Sequence, residues 1–562
     1  MNSHGSCSKD QPCPNRSCCS KFGFCGFGEP YCGQGCQSNC NGSAPLQLIG
    51  QHAAVSLLVV ETQCGHLAPP GQQECDHGCC SKHGFCGFGP DFCGEGCQSN
   101  CGTECGPLAP PGKKDCAQGC CSSAGFCGFG PDFCGTGCQG NCDSAAECGN
   151  FAKAESKECP LQVCCSQFGY CGMTEEFCGT GCQNNCGSVS LPLGNAQHRL
   201  KVLVGYYALW ATDMHSRACH WIEPDQLNPQ IFTHLIVAFA QIRNGLLALN
   251  RDSERELYRA IVGLRNQNPQ LKILVAVGGW AFNDPPTERI FSETVATEKS
   301  RAKFILSVLD FLKAYDLDGL DLDWEYPAAD DRGGLPEDSY NYLALIKELR
   351  SAFDSHPNRY LLTMAAPASY WYLRHYRIRE MSQHLHWINL MSYDFHGTWD
   401  ANIPNLGPFI RPHTGIPEIE QSLRLLTKAG VPLEKLVLGL AFYGRSYTLQ
   451  SPECNYDGCL FSEGGKPGRC TKESGVLAYF EILQLLTDGK LKPKLDPRSG
   501  TKTLNWDGNQ WVSYDDEDTL ALKVDFARRH GLHGVMVWSV DQDTTNPHNL
   551  AQHLKMLVNS IV

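Results

Sequence analysis

The chain opens on "MNSHGSCSKD", which lacks the apolar stretch of a secretory leader, so the expectation is either a start further upstream or a mature or truncated form. Nowhere do apolar residues run long enough to cross a bilayer. Positive charge is also short: 46 Lys and Arg against 59 Asp and Glu leave a net charge of −13, which argues against nucleic acid and anionic membrane as partners. Cysteine is nearly missing from the last two-thirds, where only Cys219, Cys454, Cys459 and Cys470 occur out of 36 in the whole chain. A length of 562 residues exceeds what one core serves, so several domains are expected.

The other 32 cysteines fall before residue 190 in four sets of eight. Beginning at each double cysteine, the chain reads "CCSKFGFCGFGEPYCGQGCQSNC", "CCSKHGFCGFGPDFCGEGCQSNC", "CCSSAGFCGFGPDFCGTGCQGNC" and "CCSQFGYCGMTEEFCGTGCQNNC". One spacing, CC-x5-C-x6-C-x3-C-x3-C, holds in all four. With eight cysteines per unit and no paired CxxC knuckles, disulfides are expected and metal is not. An even, dense set of this kind points to an oxidising compartment, hence to a secreted, extracellular or cell-wall protein. The modules are placed at 4–43, 63–102, 104–143 and 147–188. Residues 44–62, within "NGSAPLQLIGQHAAVSLLVVETQ", read as a linker or as a gene-model artefact.

The cysteine spacing resembles hevein-type chitin-binding modules (carbohydrate-binding module family 18). That resemblance implies a sugar-binding face of one serine and up to three aromatics. The positions are Ser20, Phe22, Phe24 and Tyr31, then Ser81, Phe85 and Phe92, then Ser122, Phe126 and Phe133, then Ser166, Phe168, Tyr170 and Phe177. Modules two and three lack one aromatic, with His83 and Ala124 in its place, and are expected to bind more weakly. The resemblance also implies the pairing. In module one it is Cys7–Cys19, Cys13–Cys25, Cys18–Cys32 and Cys36–Cys40; in module two, Cys64–Cys80, Cys75–Cys86, Cys79–Cys93 and Cys97–Cys101. Module three would carry Cys105–Cys121, Cys116–Cys127, Cys120–Cys134 and Cys138–Cys142; module four, Cys148–Cys165, Cys159–Cys171, Cys164–Cys178 and Cys182–Cys186. Flat rings on a rigid knot can stack on pyranose faces at about 1 kcal/mol each, and tandem copies gain from effective concentration on a polymer.

From about residue 199 the composition changes to apolar runs alternating with amphipathic segments. Eight strand-like runs appear: "KVLVGYYALW", "FTHLIVAFAQI", "LKILVAVGGW", "DGLDLDWEY", "YLLTMAAPAS", "HWINLMSYDF", "KLVLGLAFYGR" and "HGVMVWSVDQD". Between them Leu257, Ala260, Ile261 and Leu264 share a helical face, as do Tyr342, Leu345, Ile346 and Leu349. The pattern predicts an α/β fold, a (β/α)8 TIM barrel over 199–562 with a small α+β insertion domain at 446–515 after the seventh strand, preceded by the four disulfide-rich modules.

The segment "DGLDLDWEYP" packs acids into an apolar setting. Read as the fourth strand, it turns Asp321, Asp323 and Glu325 to the barrel interior and Leu320, Leu322 and Trp324 to the helices. Inward carboxyls roughly 6 to 7 Å apart in a low dielectric cannot all ionise cheaply, so one is expected to keep its proton near neutral pH, as a general acid must. Calcium or magnesium ligation by three acids is disfavoured, since such sites recruit carbonyls and loop turns rather than one regular strand.

"DGLDLDWE" matches the DxxDxDxE signature of glycoside hydrolase family 18, and "VGGW", "MSYD", "FYGRSY" and "VWSVDQD" extend the resemblance over the large domain. The module arrangement resembles fungal chitinases related to killer-toxin subunits. This implies a secreted chitinase that hydrolyses β-1,4 bonds between N-acetylglucosamine units with retention. Glu325 would be the proton donor, Asp323 would orient the substrate acetamido group, and Asp321 and Asp318 would tune Asp323 from behind. Gly278, Gly279, Trp280, Tyr326, Met391, Tyr393, Asp394, Trp399, Arg445, Trp538 and Tyr206 would line the substrate site. Ala276 stands where the family often has a serine, removing a hydroxyl near Asp318 and Asp321. No cofactor is implied, the partners are chitin and chito-oligosaccharides, and a monomer is expected; the alternative is a chitin lectin or toxin-docking subunit. The four late cysteines allow three pairings, of which Cys219–Cys454 with Cys459–Cys470 is the one favoured.

Overall fold

Each of the eight apolar runs forms a parallel strand in the computed structural model: β1 Val202–Ala208, β2 His234–Arg243, β3 Lys272–Gly278, β4 Gly319–Asp323, β5 Leu361–Pro367, β6 Ile388–Met391, β7 Leu436–Ala441 and β8 Gly534–Trp538. Each pairs with the next, and β8 returns to β1 with Gly534 opposite Val202, closing the barrel. Described residues are 125–153, 156–194, 198–212, 217–403, 406–545 and 549–560, with 18–19, 25–26, 79–82, 84, 86–87, 97–98, 105–106, 115–116 and 119–123. Ser20, Phe22, Phe24, Tyr31, Phe85, Phe92 and the linker at 44–62 lie outside them, as does at least one cysteine of every pair expected in the first two modules. The chain divides into two units, 1–114 with 124–126, and 115–123 with 127–562; the barrel, its insertion and module four all belong to the second.

Alternation along the strands sorts side chains into two layers. Val202, Val204, Ile236, Leu274, Ala276, Val437 and Met536 fill the barrel, whereas Leu203, Leu235, Val237, Ile273, Val275, Leu320 and Leu322 pack outward under the helices. The helix Asp338–Ser355 buries Tyr342, Leu345, Ile346 and Leu349, as its spacing predicts. In Glu254–Gly263 the stripe is shifted: Tyr258 is buried with Ile261, and Ala260 is exposed, because the bulkier neighbour takes the inward position. Thr297 caps Glu298–Ala314 by accepting from Ser300 N at 3.1 Å, a contact of about 1 kcal/mol.

After β7 the chain continues into an antiparallel sheet built around Tyr443–Leu449, which pairs with Phe461–Gly464, Val476–Ala478 and Gln510–Tyr514. The helix Tyr479–Gly489 accompanies it. The favoured pairing of the late cysteines is corrected here: Cys454 bonds Cys459 and Cys219 bonds Cys470. Cys454 and Cys459 flank a tight turn that brings their Cα atoms to 5.6 Å, which leaves Cys470 to tie the insertion to the segment after β1, 251 residues away.

In modules three and four a two-residue antiparallel pair carries the cysteines, Cys120–Cys121 with Cys127–Gly128 and Cys164–Cys165 with Cys171–Gly172. Seven disulfides join Cys116–Cys127, Cys120–Cys134, Cys138–Cys142, Cys148–Cys165, Cys159–Cys171, Cys164–Cys178 and Cys182–Cys186. Module four is docked on the barrel. Val163 and Leu161 join the main apolar cluster, and Lys428 Nζ, on the helix Ile416–Lys428, donates to the carbonyls of Asn185 at 2.6 Å and Gly187 at 2.9 Å.

Candidate active site

Two glycines set the spacing at the carboxyl end of β3. Gly278 and Gly279 have φ of 114° and 83°, and a Cβ on Gly278 would sit 2.0 Å from the Asp323 carbonyl. Instead the Gly279 N–H donates to that carbonyl at 2.8 Å, seating the end of β4 against the turn. Both glycines therefore work through the backbone, by letting the chain approach the acid strand.

Asp321 is fully buried and held on every side. Its Oδ1 accepts from Thr363 Oγ1 at 2.6 Å and Asn389 Nδ2 at 3.0 Å, and its Oδ2 accepts from Tyr206 OH at 2.8 Å. Burial pushes its carboxyl up to about 6 against the pull of those three bonds. Ala276 faces Asp321 in register from β3, so the hydroxyl missing there is offset by Thr363 on β5.

Asp323 is 4 % exposed, and its Oδ1 is buried with no hydrogen-bond partner. Burial raises its pKa well above the ordinary aspartate value, and the charges of Glu325 and Asp321 add to the effect. Glu325 is pushed up to about 7, chiefly by burial. The expectation that mutual repulsion retains the proton is thus refined, since loss of solvent outweighs the neighbouring charges.

Above the acids, Asp394 accepts a two-point contact from Arg445, Nε to Oδ1 at 2.7 Å and Nη2 to Oδ2 at 2.6 Å, and His413 lies 3.3 Å away. Burial opposes ionisation of Asp394, but Arg445 and His413 hold it well below the usual carboxylate range. Arg445 also stands 4.9 Å from the ring centre of Trp399, which is 39 % exposed. Trp538 ends β8 and meets Tyr206 edge-on at 5.5 Å and Phe239 at 5.7 Å. Met391 and Tyr393, at and just after the end of β6, are half-buried, and the charges of Asp323 and Asp394 raise the Tyr393 pKa further after burial has done so.

Several expectations need correction. Asp318 is not behind Asp323: three residues before Asp321, it has the opposite parity and lies at the amino end of β4. There it pairs with Arg265 and with Lys272 at 3.0 Å and accepts from Ile273 N at 2.8 Å. Tyr206, 2 % exposed, lies inside the barrel and serves Asp321 rather than lining a cleft. Tyr326, 7 % exposed, stacks on Tyr372 at 4.1 Å with its ring covered.

Among the module aromatics, Phe168 is 64 % exposed. Tyr170 is half-buried with Phe129 of module three at 5.2 Å, and Phe133 and Phe177 rest over Gly128 and Gly172. Phe126, of the other unit, is buried. Ser81, Ser122 and Ser166 are buried too, and Ser166 Oγ accepts from Tyr170 N at 3.1 Å.

Residues outside the expected set complete the site. Thr363 and Asn389 were missed, and the one signal for them is that each is a single polar residue at an inward position of an apolar strand. His413, Asn283 and Arg332, which reach Asp394 and the backbone of Glu325 from loops, carry no periodic signal.

A closed eight-stranded parallel barrel with stacked, proton-retaining carboxyls at the carboxyl end of β4 defines a glycoside hydrolase of the barrel class. Residues 202–543 match Glycosyl hydrolases family 18, and the chain belongs to that family. Four further segments, 5–40, 63–101, 104–142 and 147–186, match Chitin recognition protein. The chain is 35 % identical to Chitotriosidase-1 of Mus musculus over 57 % of its own length and 69 % of that protein. It is 37 % identical to Probable chitinase 2 of Drosophila melanogaster over 61 % of its length and 72 % of that protein. A solved structure of human YKL-39, described as a pseudo-chitinase with retained chitooligosaccharide binding, superposes with a TM-score of 0.57 at 31 % identity, covering 65 % of this chain and 100 % of that one.

Proposed function

We propose that the protein is an extracellular chitinase that cleaves β-1,4 bonds between N-acetylglucosamine units by a substrate-assisted, retaining route, with its modules holding it on the polymer. The observation that carries this reading is the orphaned, buried Oδ1 of Asp323 beside a Glu325 that keeps its proton to about pH 7. An acetamido N–H of the substrate is the donor that would satisfy that oxygen.

Glu325 protonates the glycosidic oxygen as the acetamido carbonyl oxygen attacks the anomeric carbon. The bond to the leaving sugar breaks, and a cyclic oxazolinium forms whose positive nitrogen Asp323 balances. Glu325, now a carboxylate, takes a proton from water as it attacks the same carbon and reopens the ring. Asp321, bound by Tyr206, Thr363 and Asn389, holds Asp323 in an environment where one proton is retained between them. Asp394, fixed as an anion by Arg445, and Tyr393 orient the N-acetyl group. Trp538 forms the floor under the cleaved sugar. The disulfide-stapled modules fit an oxidising exterior, and the chain acts as a monomer.

A time course of chito-oligosaccharide hydrolysis with product anomers resolved tests this. The wild type should release the β-anomer first, and Glu325→Gln should lose a factor of about 10² to 10⁴ in kcat with chitin binding intact. A folded wild type that binds chitin without hydrolysing it would replace the reading with that of a chitin lectin or docking subunit.

A further inference from the structure

Arg332 sits in the short turn Asp330–Arg332, seven residues past Glu325, with its side chain 9 % exposed. Its guanidinium spends its donors in three directions. Nε donates to the Glu325 carbonyl at 3.1 Å, Nη2 to the Trp280 carbonyl at 2.7 Å, and Nη1 to Asp284 Oδ1 at 2.8 Å. The same group lies 3.7 Å from the centre of the Trp280 ring. Trp280 is nevertheless 52 % exposed, so one face rests on the cation while the rest of the ring stays open to solvent.

We propose that Arg332 is a positioning residue for the reaction: it brackets the backbone of the acid Glu325 to the Trp280 platform and neutralises Asp284, so that acid and platform form one rigid piece. The inference rests on the reading of Glu325 as the acid. A planar fork suits the task, because two carbonyls, a carboxylate and a ring face are met at once, which the point charge of a lysine cannot do.

The charge balance around Glu325 gives the test its sign. Asp323 faces it from its own strand, Tyr326 adjoins it and donates to it, Asp284 faces it from the segment after β3, and Asp394 from the segment after β6. Tyr372 and Tyr376 after β5 and Tyr393 after β6 also feel its charge. Arg332 favours the ionised form of Glu325, and Asp284 and Asp394 oppose it. Loss of Arg332 both removes the cation and uncovers Asp284, two changes in the same direction.

kcat and KM for a soluble chito-oligosaccharide should be measured across pH for wild type, Arg332→Met, Arg332→Lys and Asp284→Asn, with Glu325→Gln as control. Arg332→Met should move the alkaline limb of kcat/KM up by about one pH unit and raise KM several-fold. Arg332→Lys should bring the limb back near its original place but leave KM raised, since charge returns without the fork. Asp284→Asn should move the limb down, and it decides the matter if Arg332→Met does not fold. An unmoved limb and unchanged KM in Arg332→Met, or an upward limb in Asp284→Asn, overturns the inference while an inactive Glu325→Gln leaves the acid in place. Activity retained by Glu325→Gln overturns the reading of the acid itself.

Discussion

Module four and the barrel both present groups suited to a sugar, and they do it by opposite means. In the module four disulfides hold a chain with almost no core, and Phe168 stands 64 % exposed on its surface. In the barrel the presenting groups are buried, and Asp321, Asp323 and Glu325 are costly to place there because each must be desolvated. Covalent staples allow apolar rings to be left outside, whereas a large apolar core allows charge to be taken inside. The first arrangement suits binding that must be weak and repeated; the second suits chemistry that needs a displaced pKa.

The largest expected break in this comparison comes from removing residues 1–143 while keeping the docked fourth module. Activity on insoluble chitin should fall by about tenfold or more and activity on soluble oligomers should hold, as reducing-sugar assays on both substrates would register. Equal loss on both would mean that the modules support the fold.

The buried acids sharpen the comparison through stability. Folded Glu325 keeps its proton to about pH 7, while an unfolded glutamate releases it near 4.3, so between those values the folded state binds the extra proton. Stability is therefore lost as pH rises through that window. Glu325→Gln should be more stable than wild type by about 3 to 4 kcal/mol at pH 8 and nearly equal to it at pH 4, by calorimetry or denaturant titration.

Smaller effects should follow at the docking contact and on the module surface. Lys428→Met removes the donor to Asn185 and Gly187 and should cost about 1 to 2 kcal/mol, with faster proteolysis between module and barrel. Phe168→Ala should weaken chitin retention only a few-fold, a ring stack of about 1 kcal/mol shared among several modules. No change in a pull-down on chitin beads would remove Phe168 from the binding face.

Much of the fold was legible because period and spacing survive in one dimension. Alternation in "DGLDLDWEYP" sorted Asp321, Asp323 and Glu325 from Leu320, Leu322 and Trp324, since a strand turns successive side chains to opposite faces. The same rule, applied strictly, separates Asp318 from that set. The pairing of Cys219 with Cys470 was not legible, because cysteine spacing says nothing about which loops a closed barrel brings together 251 residues apart.

By itself the sequence determined the repeated knots, the eight strands, the parity of the acids and the motifs around them, all of which depend on neighbours a few residues away. Only the tertiary structure decided what surrounds each acid: Tyr206 from β1, Thr363 from β5 and Asn389 from β6 around Asp321, and Arg332 bridging Glu325 to Trp280. Barrel closure converges distant strands on one axis, and burial there, more than any one charge, sets the proton affinity of Glu325.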